Sequence, residues 1–153
     1  MRVYVPASLP LLRAWQAAGQ VPGPVTGYAV TPGLRQWYVG DDEELEYAAT
    51  GRAARASLRL LDGAEARRVV LAVDAEAVVR DDLDEGAVRV EEPVPWGSVA
   101  AGLVDDAAAE QAVRAAAAAV DPADLGDDDA EFTVGEAEAH ELLWYATQEL
   151  RDL

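Results

Sequence analysis

In 153 residues the chain has no cysteine, lysine, isoleucine or asparagine, and it has one histidine and one phenylalanine. The missing cysteine excludes disulfides and thiol catalysis. With a single His as well, the several His or Cys ligands of an ordinary zinc site are lacking. Phosphate-binding loops are missing too. Neither GxGxxG nor GxxxxGK[ST] occurs, and no lysine exists to serve the latter. The nucleophile motif GxSxG is also absent. No window approaches the ~20 apolar residues of a membrane span. The opening Met1–Leu12, interrupted by Pro6 and Pro10, is too weakly apolar for a secretory signal. The expected compartment is the cytoplasm.

Acid dominates what is present. Twelve cations, all Arg, stand against 29 Asp and Glu, for a net charge of −17. That balance argues against binding DNA, RNA or anionic lipid, all of which need positive surface. It permits binding to a basic protein, mimicry of a nucleic acid, or plain solubility. A GC-rich genome also depletes Lys, Ile and Asn, so part of the acidity reads as codon background. Placement says more than the total. Residues 1–104 hold 15 acids and ten Arg, leaving −5. Residues 105–153 hold 14 acids and two Arg, leaving −12.

The length fits a single globular domain over residues 1–153 with a core needing no staples. Arg2–Val5 reads as a strand, followed by a helix capped at Ser8 and stopped at Gly19. Thr26–Val30 is a second strand, and Thr31-Pro32 opens a short helix. Asp41 or Asp42 opens the clearest helix, with acids first and Arg52, Arg55 and Arg59 last, and Gly63 as its stop. Val69–Val73 is apolar without alternation, as in a strand covered on both faces. Ala87–Glu91 and Val99–Val104 are further strands. Asp105 or Asp106 caps an Ala-rich helix through Val120, with Pro122 after its end. Residues 121–131 read as an acidic loop. Thr133 and Glu136, at capping-box spacing, predict a last helix striped by Ala139, Leu142, Leu143, Ala146, Leu150 and Leu153. The order predicts an α/β (α+β) sandwich with a mixed sheet of about five strands and about five helices.

The segments MRVYVPASLPLLRAW, AVTPGLRQWYV and EYAATGRAARASLRLL to RRVVLAVD resemble an uncharacterised family of small actinobacterial proteins, a domain of unknown function. The resemblance covers residues 1–74 well and the rest loosely. It implies no activity, no cofactor and no catalytic residues.

Several constellations invite a function. Asp74 stands where a strand ends, and Asp105 and Asp106 are placed alike; such carboxylates do chemistry in α/β folds or serve as caps. His140 lies one helical turn from Glu136 and Trp144, and an ion pair or Trp contact suits it better than catalysis. Arg52, Arg55 and Arg59 can grip an anion or pair with acids three or four residues away. Trp15, Trp37, Tyr38 and Trp96 read as core or semi-core, though Trp37 and Tyr38 beside Gly40 can also rim a pocket. The acidic run does not match a calcium-loop spacing. As a docking surface it offers Asp121, Asp124, Asp127, Asp128, Asp129, Glu131, Glu136, Glu138 and Glu141, with no Arg between them. The leading expectation is therefore a non-catalytic interaction protein that meets a basic partner there, with no cofactor or metal. The alternative is a small enzyme or ligand-binding domain with a carboxylate site near the strand ends at Asp74 and Asp105. A third is a subunit of a larger assembly.

Overall fold

A computed structural model describes residues 1–62 and 65–153. Strand β1 (Arg2–Ala7) comes first. Ser8 then turns the chain: its hydroxyl accepts from the Leu11 N–H at 3.3 Å, which starts α1 (Leu9–Ala18). Gly19 ends that helix at φ 74, a left-handed conformation that glycine adopts without a Cβ clash. Two short strands follow, β2 (Gln20–Val21) and β3 (Val25–Tyr28). Thr31 caps α2 (Pro32–Trp37), and Asp41 caps α3 (Asp42–Ser57) through the Glu44 N–H at 2.9 Å. The proposed stop at Gly63 lies outside the described residues.

The second half supplies β4 (Val69–Asp74), β5 (Val78–Val79), β6 (Ala87–Val90), β7 (Val94–Pro95) and β8 (Val99–Val104). Helices α4 (Glu110–Asp124) and α5 (Asp128–Glu138) lead to β9 (Leu143–Ala146) and a closing 3-10 turn, Thr147–Asp152. The expected α/β class stands. The main sheet has seven strands in the order β5-β6-β3-β1-β4-β8-β9, antiparallel at every pairing, and β2 pairs β7 separately.

Strand β4 explains the layering. Val69 to Val73 are all buried, and their side chains alternate between two cores. Val69, Leu71 and Val73 join Val3, Val5, Leu12 and Leu150 beneath α1. Val70 and Ala72 join Tyr4, Leu45, Ala49 and Ala53 beneath α3. Burying one such Val or Leu contributes about 1.5–3 kcal/mol, so an unalternating strand holds both layers at once. Gly102 in β8 makes room for a neighbour: a Cβ there would sit 2.5 Å from the buried Leu150 side chain. A third core, of Val113, Ala116, Val120, Val134 and Ala137, joins α4 to α5.

The end of the chain departs from expectation. The acidic segment 121–131 is not a loop: α4 runs on through Asp124 with Pro122 inside it, and α5 begins at Asp128. Asp127, not Thr133, is the cap, accepting from the Ala130 N–H at 2.9 Å. The predicted stripe from Ala139 to Leu153 does not form a helix. Leu143–Ala146 pairs instead with Val104–Ala101 of β8, where Trp144 and Tyr145 suit a pleated surface. Among the described residues, no helix is long and apolar enough to cross a membrane.

Candidate functional site

Asp74 and Asp105 do not form a site. Asp105 directly follows β8, whose end at Val104 pairs with Val69, while Asp74 ends β4. The two carboxylates therefore lie at opposite ends of β4, roughly 17–20 Å of strand apart. An antiparallel sheet alternates strand ends, so consecutive strands do not gather them at one edge as a parallel sheet does. Asp74 is exposed and pairs with Arg2 at 3.0 Å, beside a hollow of about 440 Å³. Asp105 is fully buried and takes both arms of the Arg68 guanidinium at 2.8 Å, plus the Arg68 N–H. Asp106 caps the turn before α4, through the Ala108 N–H.

The arginine stripe of α3 and of the 3-10 turn that follows it (Leu58–Leu60) is spent on distant acids rather than on neighbours three or four residues away. Arg52 pairs with Asp84 and Glu85, and its guanidinium lies 5.8 Å from the Tyr38 ring centroid. Arg55 reaches Asp124 and Glu131 at 2.8 Å and Glu138 at 3.1 Å. Arg59 holds Asp121 at 2.9 Å and also contacts Asp124. The hydrogen bond from Arg55 is the main cause that holds the Glu131 carboxyl below the usual range. It likewise raises the Arg55 guanidinium further. Four of the nine candidate acids thus tie the α4–α5 hairpin to α3 and the turn after it.

The other five candidates face outward. Asp127, Asp128, Asp129, Glu136 and Glu141 are exposed and make no ion pair among the described residues. Between them stands Phe132, 71% exposed, with Asp128 and Glu136 one turn to either side, and Leu125, 89% exposed, precedes the helix. Phe132 and Leu125 were not read from the sequence as functional. The available signal was the lone Phe of the chain between acids at i−4 and i+4, hidden while the helix start was placed at Thr133.

His140 lies past the end of α5, so its helical register with Trp144 is broken. Its carbonyl accepts from Arg68 at 2.8 Å, and it borders a hollow of about 250 Å³. A larger hollow, about 800 Å³, runs beside α3 from Tyr38 and Gly40 to Arg55. Tyr38 does rim a pocket, but it and Trp37 are exposed rather than core, at 42% and 66%. Trp15 and Trp96 are half-buried against the α1 core, as expected. Among the described residues, no three His, Asp or Glu converge as a metal site would require.

No curated protein and no solved structure matches the chain. A family match covers residues 1–153, well beyond the first 74 residues that carry the clearest resemblance. The chain belongs to a family of unknown function, DUF6912.

Proposed function

We propose that the chain is a cytoplasmic, single-domain, non-catalytic interaction protein that binds a basic partner through the outward face of α5. One observation carries the reading: Phe132 and Leu125 stand exposed among Asp127, Asp128, Asp129 and Glu136, acids that no arginine of the described chain neutralises. Asp121, Asp124, Glu131 and Glu138 have a structural employment, pairing with Arg55 and Arg59. The outward acids have none beyond the cap at Asp127. Unpaired surface charge steers a partner of opposite sign and sets the on-rate. An aromatic at the centre of such a patch supplies the apolar contact that charge alone lacks. A partner of this chemistry is a basic protein, including one whose basic face also contacts nucleic acid.

Two variants test the reading. Asp127→Asn/Asp128→Asn/Asp129→Asn removes charge while keeping a capping side chain at 127. Phe132→Ala removes the aromatic. Partners captured from the source lysate with the parent protein should bind each variant at least about tenfold more weakly in a titration. Unchanged affinity for both variants contradicts the reading.

A further inference from the structure

We propose that a groove beside α3 seats an amphipathic helix with basic flanks, supplied by the partner. The groove is the uncovered strip of the α3 side of the sheet. Tyr47, Thr50, Gly51 and Ala54 recur at helical spacing along one stripe of α3 and wall a hollow whose other side is Leu103 and Leu142. The larger hollow continues along the same helix, and Tyr47, Gly51 and Glu138 line both. Beyond Leu103 the strip extends to Trp144, its cross-strand partner, which shares that face of the sheet and is 64% exposed. Tyr47 is 71% exposed and Val39 fully so.

Gly51 marks the groove as more than a packing remnant. Glycine inside a helix is costly relative to alanine. Here the fold does not need it, because a Cβ at Gly51 would meet nothing within 4 Å. What the missing side chain provides is a smooth floor where the two hollows meet, open to close approach by another backbone.

The length admits a short helix and the charge selects its flanks. From Glu43 to Arg55 the wall of α3 is about 18 Å long, room for about 12 residues of a helix laid alongside it at ~1.5 Å per residue. Glu43, Glu44 and Glu141 border the groove without an ion pair among the described residues. The groove's arginines, Arg52, Arg55 and Arg68, are already held by carboxylates. A second copy is disfavoured as the occupant, since each chain carries −17. The inference rests on the basic partner proposed above but assigns it a different surface.

The test uses a synthetic helical peptide of about 18 residues with a Leu stripe flanked by Arg, against a peptide of the same composition scrambled to break the stripe. The parent protein should bind the striped peptide at least about tenfold more tightly than the scrambled one. Gly51→Trp fills the floor, and Trp144→Ala removes the exposed aromatic that extends the strip beyond Leu103 without adding bulk; each should weaken binding about tenfold. Gly51→Ala, which adds a single methyl to the floor, should weaken binding less than Gly51→Trp does. Equal affinity for the two peptides, no binding of either, or insensitivity to both Gly51→Trp and Trp144→Ala overturns the proposal. So does a concentration-dependent dimer that Gly51→Trp abolishes. If Asp128→Asn/Asp129→Asn weakens binding while the groove variants do not, the groove falls and the acidic face of α5 stands.

Discussion

Asp105 has none of its surface exposed, and Arg68 beside it is nearly as enclosed, so solvent does little to compensate either charge for a lost partner. Removing one member of such a pair leaves a buried, uncompensated charge, a loss of about 3–5 kcal/mol. Asp105→Ala should therefore lower the urea midpoint steeply. Gly51 lies at the opposite extreme. With open space at its Cβ, Gly51→Ala should gain up to about 1 kcal/mol in chemical denaturation. Among the described residues, folding lowers four carboxyls, Glu65, Asp81, Asp82 and Glu131, and Asp81 and Glu131 illustrate how. Burial acts to raise the Asp81 carboxyl, but hydrogen bonds from Thr31 Oγ1 and the Gly86 and Gly33 N–H groups outweigh it, and the result lies below the ordinary value. Glu131 is lowered by Arg55. A carboxyl lowered by folding stabilises fully above its unfolded value, and that stabilisation is lost as pH falls through the folded one. Thermal melts should be insensitive to these groups above about pH 5 and fall below about pH 4. Asp81→Asn should flatten that fall.

The α4–α5 hairpin shares its core with Leu58 and Ala66, and it meets α3 and the 3-10 turn Leu58–Leu60 after it through Arg55 and Arg59. Arg55→Gln should speed amide exchange in α5 while β1 and β4 stay protected; uniform exchange across both would show that the arginine does not hold the hairpin. At this scale the sequence was legible wherever a side-chain cap marked a helix start. Ser8 with Gly19, Thr31 with Pro32, and Asp41 with its acidic first turn all start helices as expected. It misled after residue 120. Ala139, Leu142, Leu143, Ala146 and Leu150 fit a helical period, but pairing with β8 is a long-range contact that no local pattern encodes. Pro122 suggested a stop, yet the last turn of α4 contains it. The two-residue strands β2, β5 and β7 are too short for any alternation to register.

Across the whole molecule nine of the 14 acids in residues 105–153, those from Asp121 to Glu141, divide into two populations. Asp121, Asp124, Glu131 and Glu138 turn inward to α3, while Asp127, Asp128, Asp129, Glu136 and Glu141 face solvent. Their clustering was readable from the chain, but the division was not, because it depends on arginines about 60 to 80 residues earlier (|i−j| of 62 to 83). The same long-range pairing removes the stripe of α3 as an anion grip. Opposite ends of an antiparallel strand likewise removed Asp74 and Asp105 as a pair. The claim that outward acidity is placed rather than diffuse is tested most directly by amide NMR during titration with a short unstructured Arg-rich peptide. The expected result is shift changes concentrated on residues 125–136 that fade as salt is raised. Equal changes at the other acidic segments, 41–46, 81–85 and 91–92, would contradict it.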